Sequence, residues 1–495
     1  MSLAYRVFLF FVFMSSFYNC KQDLVLDDAW IFTLEGHTTS SSPIGVDLTG
    51  DHIMDIVLGA GGEEWSTCTH GVIAIDGKSG QLLWSVPANN QIVGSAIVKD
   101  ITQDNIPDVV IGGRSAELFA IDGSNGEIIW RFYNKPGKFS SRLDTLYNFY
   151  NGQWVEDQNN DGISDIIICN GGDAIIPAGA KHRPPGTLML ICGKTGVKIS
   201  EMKMPDAEET YFSPVIFDYN NKKGIIFGSG GESRKGNLYF IYWEDFIAKK
   251  FDFTLHIDSS NAKGFVAPPI IVDLDSDGVK DIVINAVDGR TIAYNGLNFQ
   301  KLWEVICPNA EVYSQAAIGN FLYNDQHLDV FVQYAFGQYP DFTSSIYYLI
   351  DGKTGEVVRK YEEERFTYVS PIVVDNNNDG WDEVIWSVTT DTIIHKRVKP
   401  RVQIKTFDFY NENLSTTDVC SNCANFASTP YIQNSKLYSE IIICTSPAVT
   451  SYFPGTTSFE KPKLELTVQK KILRNKLPLN IKWGNYMGSE CKSHY

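Results

Sequence analysis

The feature that most limits what this chain can fold into is a short acidic loop that runs directly into a β-branched strand, and then recurs. Its fullest copy is Asp273-Leu274-Asp275-Ser276-Asp277-Gly278-Val279-Lys280-Asp281, followed by Ile282-Val283-Ile284. Asp47-x-Thr49-x-Asp51 leads to Asp55-Ile56-Val57-Leu58, and Asp100-x-Thr102-x-Asp104 leads to Asp108-Val109-Val110-Ile111. Asp157-x-Asn159-x-Asp161-Gly162 leads to Asp165-Ile166-Ile167-Ile168, and Asp375-x-Asn377-x-Asp379-Gly380 leads to Glu383-Val384-Ile385. Three further units keep the strand and lose the acids: Asp218 to Phe227, Asn320 to Val332, and Tyr431 to Ile443. Neighbouring copies lie roughly 50 to 60 residues apart, and a period of that size marks one supersecondary unit repeated as a ring or array. Eight such units use the 495 residues.

The loop has a chemistry of its own. Carboxylates at alternate positions repel one another, and a hard divalent cation that takes about six to eight oxygens relieves the repulsion. Calcium is therefore expected between the side chains of Asp273, Asp275, Asp277 and Asp281 and the carbonyl of Val279. The same spacing nominates Asp375, Asn377, Asp379, the carbonyl of Trp381 and Glu383. It also nominates Asp157, Asn159, Asp161, the carbonyl of Ile163 and Asp165. The Thr-bearing loops contribute Asp47, Thr49, Asp51 and Asp55, and Asp100, Thr102, Asp104 and Asp108. An EF-hand is excluded, because its twelfth position needs a bidentate Glu between helices and here is Ile284, inside a strand. The competing reading is a set of Asp-Gly turns that only cap strands.

Around each loop the sequence repeats one plan. In the first unit Gly71 to Asp76 is a second strand, Gly77-Lys78-Ser79-Gly80 a tight turn and Gln81 to Val86 a third strand. The turn returns as Asp122-Gly123-Ser124-Asn125-Gly126, Gly193-Lys194-Thr195-Gly196 and Asp351-Gly352-Lys353-Thr354-Gly355, with Gly supplying positive φ. A strand before the acidic loop, such as Pro371 to Val374, makes four per unit, the content of a propeller blade. The expected fold is all-β: an eight-bladed β-propeller, seven-bladed as the alternative, with four-stranded antiparallel blades. A lone strand at Ala29 to Leu34 has the Trp-x-aliphatic texture of the later last strands. It is expected to close the ring on the final unit, within Lys463 to Val468 or Leu479 to Trp483, so that no sheet edge stays open.

These residues carry two resemblances. The acidic loops followed by Ile-Val-x-Gly resemble FG-GAP repeats, the calcium-loop blades of integrin α-subunit propellers. Ala74-Ile75-Asp76-Gly77-Lys78-Ser79-Gly80-Gln81-Leu82-Leu83-Trp84 and Ala120 to Trp130 are similar to the repeat of pyrroloquinoline-quinone-like propellers. The resemblances imply structural calcium, tryptophans packed between blades, and an exported bacterial protein.

The first twenty residues read as an export leader: Arg6 precedes an apolar run from Val7 to Met14 that is short for a span. Phe17-Tyr18-Asn19-Cys20-Lys21 resembles a loose lipoprotein box, so residues 1–20 are expected to be a leader, cleaved before Cys20 where that cysteine is lipidated and N-terminal, and 21–495 to form a single propeller domain. The protein would then be extracytoplasmic, either anchored through a lipid on Cys20 or secreted. Cys420-x-x-Cys423 reads as a local disulfide or a pair of free thiols, and Cys169, Cys192 and Cys444 as core thiols. A formal charge of −17 speaks against nucleic acid and against anionic membrane other than through that lipid.

No Gly-x-Ser-x-Gly elbow or His-Glu-x-x-His is present, and the eight His are scattered. The leading expectation is a non-catalytic, calcium-stabilised propeller that binds a protein or glycan at one face. The alternative is a propeller enzyme, a polysaccharide lyase or a quinone-dependent dehydrogenase, although the vicinal Cys pair of the latter is missing. The departures from the repeat, Phe139 to Gln153, Asn170 to Pro185 and Tyr334 to Phe342, are where a ligand face would be sought. Tyr147, Phe149, Tyr150 and Trp154 read as inter-blade packing before they read as a sugar platform.

Overall fold

Strands that are apolar without interruption end up inside blades, and strands that alternate end up on the rim. Asp55–Gly59, Asp108–Gly112 and Asp281–Ala286 are buried at every residue because neighbouring blades cover both of their faces. Leu82–Ala88 and Lys301–Ile306 bury only alternate residues and face solvent with the rest. The structure is a computed structural model. It describes residues 25–483 except 63–65, 133–146, 174–175, 177–179, 181, 261, 323–326, 339–340, 364–366, 395–396, 426, 436–437, 448–463 and 474–478, and also residues 486–487. The expected leader and Cys20 lie outside the described residues.

Eight antiparallel sheets follow one another along the chain as eight blades. Blade 1 is Ile44–Val46, Asp55–Gly59, Cys68–Ile75 and Leu82–Ala88, and blade 5 is Ile270–Val272, Asp281–Ala286, Arg290–Tyr294 and Lys301–Ile306. The count is eight, not seven. In blade 4 the eroded acidic loop has shrunk to Asn220-Asn221, both at positive φ, the two-residue hairpin geometry that Asn tolerates. Two of the expected insertions are partly ladder. Asn170 to Asp173 prolongs the strand Asp165–Asp173 and pairs with Tyr147–Phe149, and Tyr334 to Phe342 belongs to the hairpin Asp329–Gln338 and Asp341–Ile350.

The ring is closed by its first strand. Leu26–Glu35 pairs antiparallel with Glu465–Leu473, Trp30 opposite Lys470 and Glu35 opposite Glu465, and so completes blade 8. The other candidate partner goes elsewhere: Asn480–Trp483 pairs with Ile372–Asp375, the first strand of blade 7. First strands line the axis, since a cavity of about 820 Å³ is walled by Ile44, Ile97, Val98, Val155, Ile216 and Phe217 from the first strands of four successive blades. The C-terminal strand therefore lies on the axial side of blade 7.

Two devices fix blade to blade. The indole N–H groups of Trp30, Trp84, Trp130 and Trp303 donate to the carbonyls of Gly77, Gly123, Gly193 and Gly352, in the outer hairpin turn of the next blade, at 2.6–2.9 Å. Each indole lies over the second turn glycine: a Cβ at Gly126 would sit 2.7 Å from Trp84, so this glycine is needed for contact as well as for its positive φ. Between blades 4 and 5 a tyrosine takes over, with the Tyr219 hydroxyl donating to the Leu297 carbonyl and its ring stacked on Phe299.

The second device runs round the axis, two residues before each first strand. The Ser42 N–H donates to Ser95 Oγ, the Ser95 N–H to Asn151 Oδ1, and Asn151 Nδ2 to Ser213 Oγ. The Gln315 N–H donates to Ser370 Oγ, the Ser370 N–H to Thr429 Oγ1, and the Thr429 N–H returns to Ser42 Oγ. Blade 5 has Pro268 at this position and contributes only its carbonyl, to Gln315 Nε2.

Candidate functional site

Strand direction alternates within a blade, so loops between strands 1 and 2 and turns between strands 3 and 4 share one face. Hairpins between strands 2 and 3 and the crossings from blade to blade share the other. The acidic loops belong to the first face.

There the last acid of each loop has a task that does not depend on metal. Asp108 accepts from the Ile101 and Thr102 N–H groups with one oxygen and from the Gly123 N–H with the other, tying the acidic loop to the outer hairpin turn. Asp55 does the same with Leu48, Thr49 and Gly77, Asp165 with Gln158 and Gly193, and Asp281 with Leu274 and Gly296. Asp329, in a unit without the acidic loop, still accepts from Phe321 and Leu322. Burial pushes the carboxyls of Asp55, Asp108, Asp165 and Asp281 upward against the pull of the N–H donors, to about 6 at Asp281. Glu383 accepts from the Asn376 N–H and Asn377 Nδ2, and burial pushes it to about 9.

The other loop acids hold the turn. Asp47, Asp100, Asp157, Asp273 and Asp375 accept from N–H groups three to five residues on, and Asp51, Asp104, Asp161, Asp277 and Asp379 accept from the N–H two residues on. Asn159 and Asn377 also accept from the loop backbone. Thr49 and Thr102 meet the buried Asp through their N–H groups, Ile163 is buried, and Trp381 stacks on Tyr410. Among the described residues one group of three acids places a ligand atom from each within 4.8 Å of the others: Asp273, Asp275 and Asp281. That donor set is all oxygen and fits calcium. The acids of the other four loops are not gathered in this way.

The opposite face is different in kind. It carries a belt of buried and half-buried ions and tyrosines from blades 3 to 6, drawn from the hairpins between strands 2 and 3 and from the blade-to-blade crossings. Arg183 Nε donates to Glu209 at 2.5 Å, and its other nitrogens donate to the carbonyls of Ile176 and Asp173 and to the Tyr211 hydroxyl; both charged side chains are at most 3% exposed. Arg234 chelates Glu208, and Lys263 pairs with Glu311 at 2.5 Å, which also accepts from the Tyr313 hydroxyl. The rings of Tyr150 and Tyr211 are 5.7 Å apart, and Tyr313 packs edge-on against Tyr368 and Phe342. Buried ions in matched pairs are costly to assemble and are kept where they position something. Of these residues the sequence singled out only those of the Asn170–Pro185 segment, Tyr150, and Phe342 at the end of the Tyr334–Phe342 segment. Glu209 and Tyr211 come from one crossing, Lys263 from the next, Glu311 and Tyr313 from a third and Glu232 from a hairpin, so no local pattern announces them.

Cys420 and Cys423 form a disulfide, and Cys68, Cys169, Cys192, Cys307 and Cys444 are buried free thiols. Among the described residues no helix is long and apolar enough to cross a membrane.

The fold defines the class: this is a β-propeller protein with eight blades. Over residues 60–228 it matches the FAM234A/B beta-propeller family model. No curated protein matches the chain by sequence. Among solved structures, quinohemoprotein alcohol dehydrogenase ADHIIG from Pseudomonas putida HK5 is similar at a TM-score of 0.53 and 10% identity, covering 90% of this chain and 76% of that one. BamB from Moraxella catarrhalis gives 0.43 and 12%, covering 90% and 100%, and Saccharomyces cerevisiae Sqt1 gives 0.47 and 7%, covering 91% and 100%. At such identities the likeness concerns the fold.

Proposed function

We propose that this propeller is a non-catalytic binding platform that engages a protein or glycan outside the cytoplasm. The observation that supports it is the belt: Arg183, Glu209, Glu208, Arg234, Lys263, Glu311 and the tyrosines crowd one face, while the other is occupied by turns that serve the blades themselves. Loops placed on a rigid ring are where such folds bind. Calcium belongs to the opposite face and to stability, with Asp273, Asp275 and Asp281 the best-gathered ligands and the FG-GAP-like loops 47–55, 100–108, 157–165 and 375–383 weaker candidates.

A photo-crosslinking side chain placed at exposed Lys235, on the belt face, should capture a partner from native extracellular material. The same group at exposed Lys78, on the turn face, should not. Adducts from Lys78 alone would overturn the assignment of faces. Residues 1–20 as leader and a lipid on Cys20 complete the proposal. Cys20→Ala should then move the protein from the detergent phase to the aqueous phase, and identical partition of both forms would count against the lipid.

A further inference from the structure

One acid in the belt has no partner. Glu232 sits in the hairpin between strands 2 and 3 of blade 4, next to Gly231, where a Cβ would run into the Tyr211 ring and come within 3.5 Å of the Glu209 carboxylate. Among the described residues Glu232 makes no hydrogen bond or ion pair, and it is only partly exposed. Its surroundings do not lack cations, but those cations are committed. Arg183 spends its donors on Glu209, two carbonyls and Tyr211, Lys263 is held by Glu311, and Arg234 by Glu208. Arg114 is within electrostatic reach of Glu232 without bonding to it. The Tyr150, Tyr211 and Tyr313 hydroxyls are within electrostatic reach of Glu232, and the Tyr150 and Tyr211 rings pack 5.7 Å apart beside the hairpin that carries it.

We infer that Glu232 anchors a site for an organic cation, the ammonium or guanidinium of a lysine or arginine side chain presented by a protein partner, with the packed rings of Tyr211 and Tyr150 as its aromatic side. This rests on the belt face being the binding face. A half-buried carboxylate without a partner is unfavourable until a cation arrives. Tyrosine rings attract the same charge at their faces. An anion would find the local cations already paired and Glu232 opposing it. Burial first, and then the neighbouring Glu209 carboxylate, push Glu232 up to about 7, against the pull of Arg114, Lys263 and Arg183. Binding should therefore strengthen as Glu232 ionises, by about tenfold from pH 6 to pH 8.

The test follows tyrosine ring NMR signals while Nα-acetyl-lysine methylamide or Nα-acetyl-arginine methylamide is added, with Nα-acetyl-glutamate methylamide and calcium chloride as comparison probes. Saturable shifts with the cationic probes are expected, weakened at least tenfold in Glu232→Gln, partly retained in Glu232→Asp, and tighter at pH 8 than at pH 6. Glu232→Gln is isosteric and Glu232→Asp keeps the charge on a side chain one methylene shorter, and a thermal melt checks the folding of both. Shifts unchanged in Glu232→Gln, preference for the anionic probe or for calcium, or silence in the wild type would each overturn the inference. Crosslinking from Lys235 together with silent cationic probes would remove this inference and leave the face assignment standing. Probe shifts without crosslinking would do the reverse.

Discussion

The buried Asp at the end of each acidic loop can be tested apart from any ion. In Asp108→Ala the N–H groups of Ile101, Thr102 and Gly123 lose their acceptor inside the blade. Unsatisfied buried donors cost about 1–3 kcal/mol each, less what water recovers, so a loss of about 3 kcal/mol is expected in chemical denaturation. The loss should be the same in calcium and in chelator. For Asp281→Ala, whose carboxylate also joins the gathered acids, it should be larger in calcium. Equal losses at both sites under both conditions would mean that the loop acids act only as turn caps. The recurrence of this Asp was legible in the sequence. The sequence assigns it to cation ligation and does not show the backbone N–H groups it also meets, because an acid at fixed spacing from others looks the same whether its oxygens meet a metal or backbone N–H groups. Asp329, kept where the rest of the loop is lost, was the available signal that the Asp matters without the ion.

At the scale of strands and turns, the reading from sequence succeeded where the pattern is local and periodic. The glycine turns, the tryptophans and the closing strand at Trp30 all recur in step, and the structure joins them as Trp-to-Gly latches and as the pairing of Leu26–Glu35 with Glu465–Leu473. What escaped was the axial belt of hydrogen bonds. Ser42-Pro43-Ile44, Ser213-Pro214-Val215, Ser370-Pro371-Ile372 and Thr429-Pro430-Tyr431 announce it, but a hydroxyl before a proline reads as a turn until blades are arranged in a circle. The strand at Leu479 to Trp483 was legible but its place was not: the four residues Asn480–Trp483 carry no period that could assign them to Ile372–Asp375 of blade 7. Deleting residues 21–36 removes the latch of Trp30 and leaves Leu82–Ala88 of blade 1 unaffected, but exposes Glu465–Leu473 as an open edge. The truncated ring should aggregate or unfold well below the parent temperature, because an unpaired strand recruits other chains. An undiminished melting temperature with monomeric behaviour would show that closure contributes little.

For the whole ring, calcium is the measurable unknown. Calorimetry on the ring domain is expected to show at least one bound ion, assigned to the Asp273–Asp281 loop by its loss in Asp275→Asn, and a lower melting temperature in chelator. No binding and no chelator effect would remove the ion from the account. The number of blades was readable because the period is carried by many residues at once, whereas the charged belt is assembled by the circle itself and exists in no single stretch of sequence. The circle also sets a schedule. The strand Leu26–Glu35 leaves the ribosome early, yet its partner Glu465–Leu473 begins about 430 residues later. At roughly 5–20 residues per second that is a wait of about 20 to 90 s, during which Trp30, Phe32 and Leu34 lack their strand partner and have only the neighbours that blade 1 supplies. Blades 1 to 6 can each form from contiguous chain as they emerge, so the nascent protein passes through a growing open arc with its first strand dangling. The step that turns the arc into a ring comes last, and whatever shields that strand in the meantime decides how much of the protein reaches the closed form.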